Sequence, residues 1–152
     1  MARGLNHALQ LSMSVAAGTA KLLGLSVEQT ANAIAAAAAD NVSLATVHAE
    51  PVSNWKGISP ASTGMRAVYT TMLAARGVTG PKSLFEGPHG LVQLFEQPID
   101  FHTADAGLTC VEQTYLKQYC SLIHGQIVID AVLALRADND LRGEDVARWS
   151  QR

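Results

Sequence analysis

Apolar residues recur every three or four positions through most of the first hundred residues, which predicts amphipathic helices. The first helix is predicted over residues 5–23, with Gly24 as its C-terminal stop. The second is predicted over residues 27–39, where Ser26 and Gln29 have the spacing of a capping box. One side of this second helix is nearly all alanine, so we expect another helix to approach it very closely.

A third helix is predicted over residues 60–76, after a polar loop that contains Ser53-Asn54-Trp55-Lys56-Gly57. Ser59 is the expected N-cap, Pro60 suits the first helical position, and Gly77 stops the helix. Its apolar residues are expected to form one buried face: Ala61, Met65, Val68, Met72 and Ala75.

Shorter helical segments are expected after Gly80 and over residues 91–95. After Pro98 the pattern changes. Residues 111–119 favour a strand, although two polar residues weaken the alternation, and residues 122–135 predict another helix. Residues 144–149 resemble the start of a further strand.

These changes predict a mainly α chain with a boundary near residue 98. Residues 1–98 form the helical part, and residues 99–152 form the beginning of a smaller α/β part. The alanine helix and the C-terminal helix both present faces that need partners. We therefore expect a piece of a larger fold, or a chain that completes itself by forming oligomers.

Composition narrows the classes of function. The chain has 152 residues, of which 48% are hydrophobic and 16% charged, with a net charge of −2. This balance argues against nucleic-acid binding, and no apolar run reaches the ~20 residues that a membrane span needs. No signal peptide, metal-ligand spacing or cofactor motif is present, so we expect a cytoplasmic protein without metal or cofactor. Cys110 and Cys120 are expected to be reduced thiols, a disulfide being the less favoured alternative.

Four groups of motifs, in order along almost the whole chain, carry a family resemblance. They are Gly4-Leu5-Asn6-His7 with residues 16–26, residues 38–42 with Ser53-Asn54-Trp55-Lys56-Gly57, residues 73–81 with Phe85-Glu86-Gly87-Pro88-His89-Gly90, and residues 116–120 with residues 124–126 and 129–131. In this order and spacing they resemble the MmgE/PrpD family, which includes 2-methylcitrate dehydratase and cis-aconitate decarboxylase.

The resemblance implies a large helical domain, a smaller α/β domain, and an active site in the cleft between them. It also implies a homodimer that acts on small polycarboxylates without an obligatory metal. On this basis the chain covers the later helices of the large domain and the start of the small one. The family's N-terminal portion, which holds an aspartate and histidines of the active site, is then expected to be missing.

Two lysines are the first candidate catalytic residues. Lys56 matches the active-site lysine in the family's Trp-Lys-Gly motif, and Trp55 and Gly57 beside it are candidates for substrate binding. Lys117 matches a second lysine at the start of the small domain. Fixed cations would stabilise the negative charge that develops on a carboxylate when the neighbouring proton is removed. The alternatives are a surface lysine beside a core tryptophan for Lys56, and a lysine guarding an edge strand for Lys117.

His124 is the third candidate catalytic residue, as an acid or a base. Together with Gln126, a candidate substrate-binding residue, it matches the methylcitrate branch better than the decarboxylase branch, which has a histidine where this chain has Leu122. The alternative for His124 is a histidine at a helix start bonded to backbone. Two positions depart from the family, since Asn6 replaces a common aspartate and Cys120 a common proline.

The sequence therefore predicts a lyase of the MmgE/PrpD type that dehydrates a small hydroxy-tricarboxylate such as 2-methylcitrate, with the isolated chain inactive. Two alternatives stay open. One is a decarboxylase or epimerase of a related polycarboxylate within the same family. The other is a non-catalytic helical fragment.

Overall fold

The computed structural model describes residues 4–49, 51–95 and 109–145, and the chain divides into two compact units, Met1–Asp100 and Phe101–Arg152. The described part is mainly helical, as predicted, and holds no strand beyond one isolated antiparallel bridge between Leu5 and Leu44. The helices are α1 (Ala8–Leu22), α2 (Val27–Asp40), α3 (Trp55–Ala75), α4 (Thr109–Glu112) and α5 (Ile123–Asn139). Short 3₁₀ helices cover Ala45–His48, Leu91–Leu94 and Gly143–Asp145.

The turn between α1 and α2 follows the sequence prediction. Gly24 adopts a positive φ of 64°, a conformation that side chains disfavour, and this ends α1. The predicted capping box is confirmed, because the Gln29 backbone N–H donates to Ser26 Oγ at 3.2 Å and Ser26 N–H donates to Gln29 Oε1 at 3.1 Å. These bonds satisfy two helix-start donors and fix the direction in which α2 leaves the turn.

Helices α1, α2 and α3 pack against one another in the first unit. Ala16, Ala37 and Ala67, one from each helix, form a single cluster and are each 0% exposed. The alanine face of α2 is thus covered inside the unit, so the expectation that it needs an outside partner is wrong. A second cluster centres on Leu9, Leu84 and further buried residues of α2 and the loop after α3.

Helix α3 begins at Trp55, five residues before the predicted start. Ser59 is therefore a buried residue inside the helix and not its N-cap, and Asn54 occupies the cap position without a side-chain bond. The helix continues through Pro60. Because proline has no N–H, the carbonyl oxygen of Lys56 loses the donor that would ordinarily lie four residues on.

The buried face of α3 also differs from the prediction. It consists of small residues: Ser59, Thr63, Ala67, Thr71 and Ala74. The large residues predicted to be buried lie outside, and Met65 is 69% exposed. Small side chains allow α1 and α2 to approach closely, and the Thr71 hydroxyl is satisfied by donating to the Ala67 carbonyl at 2.8 Å.

The loop after α3 returns across α2. Gly80 N–H donates to Asn32 Oδ1 at 3.1 Å, and a side chain at Gly80 would collide with the backbone of α2. Residues 82–89 form turns, so the short helix expected after Gly80 is absent from this described segment, whereas Leu91–Leu94 is helical as expected.

In the second unit the predicted strand over residues 111–119 is wrong. Helix α4 covers its first two residues, and Thr114 ends that helix by bonding back to the Val111 carbonyl through both its N–H and its hydroxyl. The predicted helix over residues 122–135 is confirmed as α5, which runs four residues further and ends at Asp140 with a φ of 49°. Gly143–Asp145 is a 3₁₀ helix where a strand was expected to start, and residues 146–149 and the boundary near residue 98 lie outside the described residues.

Replacing Ala37 by leucine should destabilise the first unit by about 1–3 kcal/mol, because the side chain would have to enter the contact between three helices. Ala39→Leu is the matched control, since Ala39 is exposed on the same helix and should tolerate the change. Urea unfolding followed by circular dichroism measures both. Equal stability of the two variants would show that the alanine contact does not limit helix approach.

Candidate functional site

Lys56 lies in the first turn of α3, between Trp55 and Gly57. All three are exposed, and Trp55 is 49% exposed, so the interpretation of a tryptophan that fills the core is wrong. The Lys56 and Gly57 N–H groups bond to the carbonyls of Ser53 and Asn54, both at 3.1 Å, which closes the turn that starts the helix. The positive end of the helix and the lysine ammonium together favour an anion here.

Two histidines stack beside one another in the same unit. His7 directly precedes α1 and His48 ends the 3₁₀ helix Ala45–His48, which packs against α3. Their ring centroids lie 5.6 Å apart with an interplanar angle of 26°. His7 is exposed and His48 is half-buried, so the pair is open to a small solute. An imidazole is the side chain best suited to proton transfer near neutral pH.

Asn6 holds this pair in place. It is 4% exposed, and its Oδ1 lies 3.2 Å from His48 Nε2. Its backbone N–H donates to the Ser43 carbonyl at 2.8 Å, and its Nδ2 donates to Ser43 Oγ at 3.4 Å. The bridge between Leu5 and Leu44 aligns the same two segments. The chain before α1 is thereby tied to the chain before the 3₁₀ helix.

Sequence reasoning did not assign the histidine pair a role. His48 lies eight residues before Lys56, and the motif Gly4-Leu5-Asn6-His7 marks the other half of the pair. Only the fold shows that they meet, because about 40 residues separate them along the chain.

The other predicted site residues lie in the second unit. Lys117 is exposed in the irregular segment before α5, and His124 is exposed in the first turn of α5. Since no strand is described around Lys117, the edge-strand alternative is wrong for it. The catalytic roles of Lys117 and His124 stay predictions.

Both polar atoms of the Gln126 side-chain amide form hydrogen bonds with the backbone. Its Oε1 accepts from the Tyr119 N–H at 2.9 Å, and its Nε2 donates to the Tyr119 carbonyl at 3.0 Å. This pair of bonds fastens the turn that enters α5. The role of Gln126 in substrate binding stays a prediction, whereas its role in the local structure is clear.

Tyr119 makes a further bond along α5. Its hydroxyl donates to Asp130 Oδ1 at 2.7 Å. That hydrogen bond, followed by burial and by the negative charge of Asp130, raises the pKa of the Tyr119 phenol above its ordinary value of 10.0.

Some functional features are absent from the described residues. No group of three or more His, Cys, Asp and Glu side chains is placed to hold a metal ion there. No described helix has the length and apolar character needed to cross a bilayer. Cys120 is an exposed free thiol.

Comparison with known proteins identifies the family. The sequence model of one protein family, described as the MmgE/PrpD N-terminal domain, matches residues 1–104. The chain belongs to the MmgE/PrpD family. No solved structure matches it.

The matched part of this MmgE/PrpD chain contains the histidine pair, Asn6 and Lys56. Three segments supply these residues: the chain before α1, the 3₁₀ helix, and the start of α3. Two imidazoles can accept and deliver protons, and the ammonium can balance a carboxylate. Lys117, His124 and Gln126 lie beyond residue 104, outside the matched part.

Replacing Asp130 by asparagine should lower the pKa of Tyr119 towards its ordinary value, because the charged acceptor of the phenol proton is lost. The raised pKa means that this bond stabilises the folded unit below pH 10 and that its contribution disappears as the pH rises through the Tyr119 titration. The absorbance of the phenolate, measured against pH in a Tyr69→Phe/Tyr115→Phe background, isolates Tyr119. Asp138→Asn, on the same helix, is the control and should leave the titration unchanged.

Proposed function

We propose that the full-length protein is a lyase that dehydrates a small hydroxy-tricarboxylate such as 2-methylcitrate. The observation that supports this most is the placement of two stacked imidazoles and Lys56 in one unit of an MmgE/PrpD chain. All three side chains are at least partly accessible to solvent.

The chemistry requires a base, an acid and a cation. A C–H bond next to a carboxylate breaks, and its proton passes to a neutral imidazole. The electron pair forms a carbon–carbon double bond, and the C–O bond of the hydroxyl breaks. A protonated group supplies the proton with which the hydroxide leaves as water. Lys56 would stabilise the carboxylate on which negative charge develops.

Lys117 and His124 enter this proposal through the family resemblance. Lys117 would be a second cation for the carboxylates, and His124 a further acid or base. Gly57 and Gln126 are proposed to contact the substrate. Trp55, the third such candidate, is assigned instead to the contact between copies that is proposed below. We propose that the 152-residue chain alone has little or no turnover.

The alternative reactions are decarboxylation or epimerisation of a related polycarboxylate. Leu122 argues against decarboxylation, because the decarboxylase branch has a histidine there. A non-catalytic helical fragment is favoured by one observation, namely that α5 has no buried residue although it is rich in Ile, Val and Leu.

The free thiol of Cys120 supports a cytoplasmic location.

We also propose that a second copy of the chain covers the outer face of α3. Positions 55, 58, 62, 65, 69 and 72 of α3 are separated by alternating steps of three and four residues. Ser62 occupies one of them, and the others carry large, exposed apolar side chains: Trp55, Ile58, Met65, Tyr69 and Met72. This is the spacing of positions a and d in a coiled coil.

These exposed apolar residues form a stripe along α3, and this stripe is complementary to a second copy of itself. In an antiparallel pair of α3 helices, Trp55 of one copy faces Met72 of the other, Ile58 faces Tyr69, and Ser62 faces Met65. Five half-exposed side chains of ~100 Å² each give roughly 500 Å² per copy, a large part of the ~800 Å² that a stable interface buries per partner. Arg66 faces Ala61 in this register, so like charges do not oppose one another.

Lys56→Ala should weaken binding of citrate or 2-methylcitrate to the purified chain by at least tenfold, because one charge-assisted hydrogen bond contributes about 1.5–3 kcal/mol. Lys56→Arg should retain part of the affinity. Lys21→Ala removes an exposed lysine of α1 and serves as the control. Titration calorimetry measures all four proteins, and equal affinity of Lys56→Ala and wild type would remove Lys56 from the site.

Met65→Glu should convert a dimer into a monomer without loss of helix content, since Met65 faces solvent within one copy. Leu22→Glu is the control, because Leu22 is 88% exposed and lies at the end of α1, away from the stripe. Light scattering after size-exclusion chromatography gives the masses. A monomeric wild-type chain would contradict the proposed pairing and would leave another protein segment as the partner of this face.

A further inference from the structure

We propose that Asn6 is a positioning residue that holds His48 in the tautomer protonated at Nε2, which leaves Nδ1 as the proton-accepting atom of the histidine pair. The catalytic meaning of this assignment rests on the proposed lyase function. The tautomer itself follows from the hydrogen bonds around Asn6.

Asn6 has little freedom to move. Its side chain is buried, and its backbone N–H and its Nδ2 are both bonded to Ser43. The antiparallel bridge between Leu5 and Leu44 fixes the same two segments one residue further along on each side. The fold therefore holds the Asn6 side chain between Ser43 and His48, with Nδ2 on Ser43 and Oδ1 on His48.

This orientation decides the proton position on His48. Because Asn6 Nδ2 points to Ser43 Oγ, the atom facing His48 Nε2 at 3.2 Å is Oδ1. An amide oxygen only accepts hydrogen bonds, so Nε2 must carry the proton. A neutral imidazole has one N–H, which leaves the lone pair on Nδ1.

The stacked His7 ring completes the arrangement. The His7 ring stacks on the His48 ring, with the two centroids 5.6 Å apart. A neutral ring can take the proton from carbon, while a protonated neighbour can deliver one to the leaving hydroxyl. Asn6 thereby gives the neutral form of His48 a defined accepting nitrogen, Nδ1.

The side chain of Asn6 also distinguishes this chain from relatives that have aspartate here. A carboxylate accepts the same Nε2–H bond, but it places a negative charge beside the ring. Asparagine orients the imidazole without that charge. Asn6→Asp therefore preserves the orienting bond, whereas Asn6→Leu removes it and keeps the number and branching of the side-chain heavy atoms.

Long-range proton–nitrogen NMR of the purified chain reports the tautomer directly. His48→Gln identifies the His48 signals. We expect wild type and Asn6→Asp to share the Nε2–H tautomer, and Asn6→Leu to lose the preference while circular dichroism shows unchanged helix content. Ser43→Ala, which loosens the amide, should weaken the preference less than Asn6→Leu does.

Two results would overturn the proposal. One is a wild-type Nδ1–H tautomer that Asn6→Asp converts to Nε2–H, which would mean that Asn6 presents its amide nitrogen to the ring. The other is a tautomer that neither Asn6 variant alters. If Asn6→Leu does not fold, Ser43→Ala takes its place, because a weakened preference in that variant is expected only if the Asn6 amide orients the ring. Citrate titration of the same samples tests the lyase proposal separately, because the tautomer is measured without ligand.

Discussion

The close contact of three helices through alanine is the constraint on which the first unit depends. Ala16, Ala37 and Ala67 are fully buried and place only methyl groups between the three helices. Packing at this distance fixes the helices relative to one another, because protein interiors are dense and transmit small displacements. The start of α1, which carries His7, is thereby held in a defined position relative to the start of α3, which carries Lys56.

The same constraint explains why α3 buries its small residues and exposes its large apolar residues. A face that must lie against two closely packed helices has room only for serine, threonine and alanine. Hydroxyls on such a face stay satisfied by bonding to the preceding turn, as Thr71 does. The large apolar side chains of α3 are then left outside, where they form a stripe that Ser62 interrupts. An exposed stripe of this size is typical of an interface.

Local signals in the sequence predicted the local structure well. The capping box at Ser26, the glycine stop at Gly24 and the periodicity of α5 all act within a few residues, and each is confirmed. The start and the buried face of α3 were wrong because hydrophobic periodicity assigns the largest side chains to the core, whereas here the spacing between helices decides. The strand prediction over residues 111–119 was wrong because two polar residues break the alternation, and a broken alternation over so short a segment carries little information. Lys56 could be proposed as a site residue from a motif, but the pairing of His7 with His48 depends on contacts between distant segments.

Two side-chain amides show how the fold separates a structural role from a chemical one. Gln126 directs both its oxygen and its nitrogen at the backbone of Tyr119, so its hydrogen-bonding capacity is used to hold the turn before α5. Asn6 directs its nitrogen at Ser43 and its oxygen at the ring of His48. Only the second arrangement couples the backbone to a group that can change its protonation state. A sequence comparison that weighs residue types alone favours Gln126, because it lies in a family motif beside His124. The hydrogen bonds favour Asn6, because an amide influences proton transfer only through the titratable group that it contacts.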